Sequence, residues 1–542
     1  MVAAPTLPRR ATGLWPVGLD GAPLLAALIA VAWLLVDPRS PDLAAQVYRV
    51  DLFRHAGFAV WDNNWYAGHH LPGYSLTFPA MAALVGLRPL GALAVITSTV
   101  LFAGLVRGRF GPQTRFATAW FAVAASGDLW IGRLTFALGV TAGLAAALAA
   151  ARHRPRLAAL LAAACAATSP VAGLFLALAG VALAVAARRP CARSVALVVP
   201  PLLLVGALAV LFPEGGVQPF ALTSFLAAAG ATVAFVVLLP RQERVLRTGG
   251  VLYALAVLAS LLPLTPMGSN VVRLGVMFTG PLLLCALAGP GRARLRDRRL
   301  VAALAVAGAG LAAWTITGPV VQSLRADDDP SVRAAYYLPV ERFLAARHST
   351  PVRVEVPFTR AHWESVFLGR RYLLARGWER QLDVKYDGLF DGPLTAAAYH
   401  RWLATTGVAY VALPDVPLDG TGRLEAALVR HGLPFLTPVL RTRHWRIYAV
   451  RGHAPLVWGP GRVTSLGRDR FALRARRAGR FVVRLRYTPY WTVTAGRACV
   501  APTHGGWTAV DAAGPGPVRI AARWSLGAAL RDAPACLPPA AG

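Results

Sequence analysis

The sequence has little charge for its length and almost no lysine. Of its 542 residues, 15% are charged and 56% are hydrophobic, so the chain lacks the polar surface that a soluble protein of this size needs. Lys385 is the single lysine, and arginine therefore carries the formal net charge of +31. In the first three hundred residues the arginines form short clusters between long apolar runs. This distribution indicates membrane topology and argues against nucleic acid as a partner.

Motifs for metal, nucleotide and redox chemistry are absent as well. The sequence has no CxxC or HExxH motif, no zinc-like spacing of cysteine and histidine, and no glycine loop of the Walker or dinucleotide type. We therefore expect neither a metal nor a cofactor. Of the five cysteines, Cys499 and Cys536 lie in the C-terminal tail, where oxidising conditions would permit a disulfide. The sequence leaves their pairing open.

Hydropathy predicts a chain that crosses the membrane many times. A bilayer core requires roughly 20 mostly apolar residues per helix, and fewer inside a bundle. The eleven predicted spans lie near residues 22–37, 78–106, 116–131, 134–151, 156–169, 171–187, 195–212, 220–240, 249–264, 271–289 and 300–318. Only Ser169 and Pro170 divide the fifth span from the sixth, so one long kinked helix is the alternative there.

Arginine clusters predict the orientation, because positive loops favour the cytoplasmic side. The clusters occupy every second loop if all eleven spans exist, near residues 9–10, 107–115, 152–156, 188–193, 241–247 and 292–299. We therefore expect a multi-pass protein of the cell membrane with a cytoplasmic N-terminus. The predicted outer segments are residues 38–77, 126–133, 213–219 and 265–270 and everything after about residue 320. No small-residue cleavage site follows the first apolar run, which indicates an uncleaved span rather than a signal peptide.

The C-terminal part changes character near residues 327–330. Mixed strand-like runs (352–356, 408–413) and helical patterns (395–405, 424–431) predict an α/β module, and short alternating strands (471–474, 481–487, 518–524) predict a β-sandwich. The predicted domains are a transmembrane domain (1–320), an extracytoplasmic α/β module (321–454) and an extracytoplasmic β-sandwich-like domain (455–542). The predicted fold class is a mainly α polytopic membrane protein with this C-terminal region.

The predicted outer loop at residues 38–77 begins with a short helix. Ser40 suits the N-cap, Pro41 suits the first helical position, and a glycine follows the end. At about 100° per residue, Leu43, Val47 and Val50 form one apolar stripe. We therefore expect the helix to lie flat in the membrane interface.

Charged residues on this helix give two faces. Asp42, Gln46 and Arg49 fall together at positions i, i+4 and i+7, whereas Asp51 points nearly opposite to Asp42. We favour Asp42 as the functional acid, because it is nearest the first span and shares its face with Gln46 and Arg49. The alternative for Asp42 is an acid that the helix macrodipole favours in a first turn, and the alternative for Arg49 is an interfacial anchor.

A dense polar segment follows at residues 61–75. An aromatic belt with turn residues accounts for Trp61 and its aromatic neighbours. It does not account for Asp62, Asn64, His69 and His70, packed together beside the bilayer. Such a density of polar groups at the membrane face indicates a binding site.

These residues resemble the first outer loop of the C-type membrane glycosyltransferase superfamily, bacterial cell-envelope branch. The resemblance rests on an aspartate just after the first span, Gln-x-Tyr, Gly57, Trp61, Asn64, Gly68, Pro72 and Pro79. Residues 132–139, 268–274 and 487–496 agree with it. One departure is that many members carry two adjacent acids, whereas here Pro41 precedes Asp42 and Leu43 follows it, which argues against a paired-acid metal site.

The resemblance implies an enzyme that transfers a hexosyl or pentosyl group from a polyprenyl-phosphate-sugar lipid to a cell-envelope glycan or glycolipid on the outer face. Asp42 would be the general base, with Asp51 or Asp62 as the alternative base. The implied substrate-binding residues, with the arginines on the leaving phosphate, are Gln46, Arg49, Trp61, Asn64, His69, His70, Arg133 and Arg273. Arg133 and Arg273 could equally be anchors at span ends.

Two other classes remain open, a membrane transporter or flippase and a non-catalytic envelope assembly protein. Transporters often show inverted repeats and ionisable residues deep in their spans. This sequence shows no internal repeat and almost no ionisable residue at mid-span, which favours the enzyme over the transporter.

Overall fold

The computed structural model describes residues 21–261, 265–288, 298–327, 329–347 and 351–530. Its first part is helical and its last part is rich in strands, which confirms the predicted fold class. The helices are α1 (Gly21–Val36), α2 (Pro41–Ala56), α3 (Phe78–Val85), α4 (Leu87–Phe110), α5 (Arg115–Ile131), α6 (Leu134–Ala151), α7 (Pro155–Thr168), α8 (Pro170–Ala186), α9 (Ala192–Leu211), α10 (Leu222–Leu238), α11 (Arg244–Leu261), α12 (Val272–Ala288), α13 (Arg298–Asp327), α14 (Ala334–Arg347), α15 (Glu364–Phe367), α16 (Arg380–Asp387), α17 (Ala396–Thr406), α18 (Gly420–Arg430) and α19 (Leu526–Ala529).

The helical part is that of a multi-pass membrane protein. Six helical segments of the described chain are long and apolar enough to cross a membrane, namely α4, α6, α9, α11, α13 and α12 with the turn before it. The helices α7, α8 and α10 are apolar but shorter. A helix occurs at every predicted span, but the number of eleven spans remains a prediction.

The second predicted span, residues 78–106, is wrong as a single helix. It breaks at Gly86, which has a φ of 96° and separates α3 from α4. This conformation favours glycine, and Pro89 in the first turn of α4 is compatible with a helix start. Hydropathy missed the break because both sides of it are apolar.

The divider at Ser169 separates two helices, α7 and α8. Ser169 has an extended conformation, and its hydroxyl accepts a hydrogen bond from the backbone of Ala172 at 3.3 Å. Pro170 occupies the first position of α8. This N-cap rules out the single kinked helix.

The loops segregate to the two ends of the bundle as the arginine clusters predict. At the arginine-rich end, Arg109 between α4 and α5 pairs with Glu243 between α10 and α11 at 2.6 Å. At the other end, the backbone of Leu76 donates to Ala167 at 2.8 Å and that of Gln218 donates to Thr265 at 2.9 Å. Which end faces the cytoplasm remains a prediction.

As far as it is described, the C-terminal region contains three sheets. Their strands are β3 (Arg353–Glu355), β4 (Leu373–Leu374), β5 (Val408–Pro414), β6 (Leu436–Arg441), β7 (Trp445–Val450), β8 (Val457–Trp458), β9 (Gly461–Leu466), β10 (Arg470–Ala475), β11 (Gly479–Arg486), β12 (Trp491–Ala495), β13 (Ala498–Pro502), β14 (Trp507–Ala512) and β15 (Gly516–Ala522). The first has five strands in the order β4-β3-β5-β7-β6, with β3 parallel to β4 and β5 and the other pairs antiparallel. The other two are antiparallel and four-stranded, in the orders β12-β15-β10-β9 and β13-β14-β11-β8.

The two four-stranded sheets face each other across one apolar core. Phe471 and Ile520 of one sheet and Phe481 and Val510 of the other are all buried in it, as alternating strands of a sandwich require. The predicted domain boundaries at residues 320 and 454 remain predictions, and α13 continues past the first of them. Cys536, the candidate disulfide partner of Cys499, lies outside the described residues.

The segment between α2 and α3 joins the bundle to the C-terminal region. It forms a small hairpin of β1 (Trp61–Asp62) and β2 (His69–His70). Trp65 at its tip is fully buried, and its Nε1 donates to the backbone oxygen of Ser365 at 3.1 Å. We call residues 57–77 the joint.

The contact of Trp65 with Gly377 gives a test of the joint. A Cβ atom on Gly377 would lie 2.3 Å from Cγ of Trp65, so we expect Gly377→Ala to lower stability by about 1–3 kcal/mol through overpacking. Thermal unfolding of the detergent-purified protein measures the effect. The matched control is Gly388→Ala, because Gly388 has a φ of −57° and no atom within 4 Å of its added Cβ. An equal loss in both variants would contradict the expectation.

Candidate active site

The helix α2 crosses the end of the bundle. It follows α1 after a short break and is bent from it by 79°. Pro41 stands at the start, and Gly57 ends the helix with a φ of 67°, so the predicted helix limits are correct. Ser40 occupies the N-cap, but its side chain makes no capping hydrogen bond. Its hydroxyl lies instead against Gly132.

The prediction that the apolar stripe of α2 lies in the membrane interface is wrong. Leu43 and Val50 are 1% and 3% exposed and belong to the main core, and Val47 packs against that core. The stripe therefore packs against the protein. Periodicity identified the stripe correctly but could not tell a protein surface from a lipid surface.

Gly132 brings the turn between α5 and α6 against the first turn of α2. It has a φ of 90°, and a Cβ atom there would lie 2.4 Å from the backbone nitrogen of Leu43. The next residue, Arg133, donates from Nε to Oδ2 of Asp42 at 3.0 Å. The side chains of Arg133 and Asp42 are 28% and 32% exposed. This ion pair is therefore accessible to a ligand.

Arg273 and Asp128 complete the cluster around this pair. Arg273, in the first turn of α12, donates from Nη2 to Oδ1 of Asn270 at 2.6 Å and interacts electrostatically with Arg133, Asp42 and Asp128. Asp128 is 7% exposed and lies near the C-terminal end of α5, where the helix dipole disfavours an anion. The two arginines offset this cost. We call Asp42, Asp128, Arg133 and Arg273 the charged cluster.

Two polar atoms of the charged cluster have unused hydrogen-bonding capacity. Oδ2 of Asp128 and Nε of Arg273 are buried and have no hydrogen-bond partner among the described residues. Buried polar groups are normally paired. The cluster is therefore suited to accept one further polar group.

Gln46 fixes α2 on the bundle beside the charged cluster. Its side chain is 1% exposed. Its amide nitrogen donates to the hydroxyl of Tyr74, and its amide oxygen accepts from the hydroxyl of Thr135 on α6. The structure therefore places Gln46 near Asp42, as predicted, but between protein groups.

Arg49 lies one turn further along α2 and already has a partner. It pairs with Glu379 of the C-terminal region and lies 3.8 Å from the ring centroid of Tyr74. Burial raises the pKa of the Glu379 carboxyl, while Arg49 acts in the opposite direction. This pair links α2 to the start of α16.

The alternative bases Asp51 and Asp62 lie apart from the charged cluster. Asp51 faces the C-terminal region, where its Oδ2 is 3.2 Å from Nε of Arg370 and 3.4 Å from Nη2 of Arg468. Asp62 is fully buried in the joint and accepts a hydrogen bond from the Tyr48 hydroxyl at 2.8 Å.

The remaining predicted site residues lie in the joint. Nδ2 of Asn64 donates to the backbone oxygen of Gly369 at 2.7 Å. His70 contacts Thr488 at 3.1 Å and Glu214 at 2.8 Å. The structure therefore pairs these groups with other parts of the protein.

Trp61 and His69 are also enclosed in the joint. Trp61 lies edge-on to His70 at 4.7 Å and to Trp491 at 6.0 Å. His69 is fully buried and stacks on Trp65 at 5.7 Å. The aromatic partners of Trp61 and His69 all lie outside the charged cluster.

Sequence reasoning did not connect Asp128 with Asp42 or Glu379 with Arg49. Asp128 is an isolated acid at the end of an apolar span, and this rarity was a usable signal. Glu379 gave no such signal, because its partner Arg49 is 330 positions away. Among the described residues, no group of three or more histidine, cysteine, aspartate or glutamate side chains could hold a metal ion.

Comparison with known proteins gives only distant structural similarity. No family model and no curated protein match the sequence. ArnT from Cupriavidus metallidurans in the apo state matches at 12% identity with a TM-score of 0.43, and the same protein bound to undecaprenyl phosphate matches at 14% with 0.37. Each match covers 79% of this chain and 97% of the other. Because both TM-scores are below 0.5, they carry no functional conclusion.

Asp62 and His69 have opposite effects on the pH dependence of stability. Burial raises the pKa of Asp62 to about 6, so its contribution to stability is lost as pH rises from about 4 to 6. Burial lowers the pKa of His69 to about 4, so its contribution is lost as pH falls from about 6.5 to 4. The two effects partly cancel in the native protein.

We therefore expect the variants Asp62→Asn and His69→Gln to change the pH profile in opposite directions. Between about pH 4 and 6 the unfolding temperature of Asp62→Asn should rise more steeply with pH than that of the wild type, and that of His69→Gln should rise less steeply. Thermal unfolding across this range measures both slopes. Parallel profiles for the three proteins would contradict the assignment.

Proposed function

We propose that this protein is a membrane glycosyltransferase that moves a sugar from a polyprenyl-phosphate donor to a cell-envelope acceptor, with Asp42 as the general base. The observation that supports it best is the charged cluster, in which the accessible carboxylate of Asp42 pairs with Arg133 and interacts electrostatically with Arg273. We propose further that this end faces outward and that the N-terminus is cytoplasmic.

In the proposed reaction the carboxylate of Asp42 takes the proton of the acceptor. An acceptor hydroxyl at Oδ2 of Asp42 loses its proton to the carboxylate as its oxygen attacks the anomeric carbon of the donor sugar. The bond from that carbon to the phosphate oxygen breaks, and its electron pair leaves with polyprenyl phosphate. The products are the glycosylated acceptor, protonated Asp42 and the lipid phosphate.

The two arginines suit the charge that develops on the leaving phosphate. Guanidinium groups donate several directed hydrogen bonds to phosphate oxygens, and Arg273 has a buried Nε without a partner among the described residues. Asp128 interacts with both Arg133 and Arg273 and would hold them in place. Charge-assisted hydrogen bonds from the two guanidinium groups would hold the leaving phosphate, so the proposal requires no metal ion.

The ion pair of Asp42 and Arg133 suggests how the base becomes available. A partly exposed ion pair contributes only about 0–1 kcal/mol, so a bound phosphate can compete with the carboxylate for Arg133. Asp42 would then lose its cationic partner when the donor arrives. The base would therefore be active only with the leaving group in place.

Substitution of the base tests the proposal. We expect Asp42→Asn to lower kcat for sugar transfer by about 10²–10⁴-fold, because an amide cannot accept the proton. Transfer from a polyprenyl-phosphate-sugar donor to acceptor, measured in detergent, gives the rate. The matched control is Asp511→Asn in the β-sandwich, where the carboxylate pairs with Arg480 far from the charged cluster; it should retain near wild-type kcat.

The outcomes separate the candidate functions. Unchanged turnover in folded Asp42→Asn would reject Asp42 as the base and leave Asp51 and Asp62 as the candidate bases. Absence of turnover with every donor would favour a transporter or an assembly protein. Movement of the intact donor lipid across a vesicle membrane would then identify the transporter.

Neutral replacement of the arginines tests the phosphate site. We expect Arg133→Gln and Arg273→Gln each to lose about 1.5–3 kcal/mol of donor binding, or ~10- to 100-fold, because a charge-assisted hydrogen bond is removed. Binding of the donor lipid by each variant measures the loss. Arg54→Gln, which changes an exposed arginine on α2, is the control. Equal weakening in all three variants would indicate a general charge effect and contradict the site.

A further inference from the structure

The β-sandwich carries a concentration of positive charge that the proposed reaction does not use. Residues 455–530 contain twelve arginines and two aspartates. Both aspartates are already paired, Asp469 with Arg470 at 2.7 Å and Asp511 with Arg480 at 2.8 Å. The other arginines of this region therefore have no acidic partner within the sandwich as far as it is described.

Three of these arginines lie on the outer face of one sheet. Arg462 on β9 is directly opposite Arg474 on β10, and all of Arg462, Arg474 and Arg519 are exposed. Arg519 on β15 is opposite Ala472, which places it diagonally from Arg474. Directly opposed side chains lie about 4.5–5.5 Å apart at Cβ and diagonal ones about 7–8 Å, and like charges at such positions destabilise a sheet.

The adjoining turns extend the patch. Arg476 and Arg477 follow the end of β10, and Arg497 follows β12; all three are exposed. The backbone oxygen of Arg497 accepts from Ala513, which directly follows β14. Among the described residues, none of these six arginines has an ion pair. We call Arg462, Arg474, Arg476, Arg477, Arg497 and Arg519 the arginine patch.

The arginine patch lies at the end of the sandwich farther from the joint and the helical bundle. The opposite end of the sandwich contacts the bundle, where Asn63 donates to the backbone of Gly467 at 2.9 Å and Tyr490 donates to the backbone of Leu211 at 2.5 Å. From that end β10 runs outward for its six residues, a distance of roughly 20 Å. The patch therefore lies at the end of the sandwich that is farther from these two contacts.

We propose that the arginine patch binds a linear polyanion, with phosphate or carboxylate groups, in the aqueous space beyond the membrane. Repelling neighbours on a folded sheet are stabilised when anionic groups lie between them, and guanidinium groups bind both phosphate and carboxylate. Arginines on three adjacent strands suit an extended chain with repeated charges. This inference uses the proposed outward orientation but not the transfer reaction.

Binding of polyanions by the full-length protein tests the proposal. Fluorescent polyphosphate and polygalacturonate are titrated against protein in nanodiscs of uncharged lipid at several salt concentrations. We expect salt-dependent binding that the variant R462Q/R474Q/R519Q weakens at least ~10-fold, with the slope of log affinity against log salt shallower by about two to three. Binding of polyphosphate alone would assign a phosphate polymer, and binding of both would include carboxylate polymers.

A control variant that loses the same three charges distinguishes binding at the arginine patch from a general effect of the protein's net charge. The variant R401Q/R423Q/R430Q changes three exposed arginines on α17 and α18 and should bind like the wild type. An equal loss in this control, absence of salt-dependent binding, or binding only to vesicles of anionic lipid would overturn the proposal. Because no donor lipid is present, failure here leaves the proposed transfer reaction untouched, and Asp42→Asn should bind polyanion normally.

Discussion

The rotation of α2 about its own axis is the constraint on which the charged cluster depends. Arg133 holds Asp42 toward the bundle, while Arg370 and Arg468 hold Asp51 toward the C-terminal region. Gln46 adds buried contacts on the bundle side. A rotation of α2 about its axis would break interactions on both faces. The position of the helix therefore determines which carboxylate lies near Arg133 and Arg273. Catalytic and binding groups need this kind of support from neighbouring residues.

Close approach of backbones makes this arrangement possible. Gly132 lets the turn between α5 and α6 reach α2, and Gly139 lets α6 pack against Ser169, where an added Cβ would lie 2.6 Å from the serine Cβ. The resulting cluster contains two acids and two arginines and is formally neutral. A neutral cluster with an exchangeable ion pair can admit an anion without leaving an unpaired charge buried in its absence.

The helices could be predicted because they depend on local sequence. The long-range contacts could not be predicted. Hydropathy and the residues Pro41 and Ser169 located helix positions and ends, because burial and capping depend on nearby sequence. The break at Gly86 was missed because apolar residues flank it. The polar density of the joint predicts a binding site. In the structure, however, Asn64 donates to Gly369, which lies 305 positions away. A sequence pattern cannot show whether such a group is satisfied by substrate or by protein, so the joint was assigned to a binding site.

The joint has a consequence for how the protein is made. Many of its hydrogen-bond partners lie 300 to 420 positions later in the chain, as for Trp65 with Ser365 and Tyr66 with Arg486. At a synthesis rate of about 5–20 residues per second, these partners emerge roughly 15–80 s after the joint itself. During that interval several aromatic and polar side chains are without their native environment at the bilayer surface. Biogenesis therefore includes a late docking step, and a nascent chain arrested before residue 365 would present this segment to chaperones or proteases.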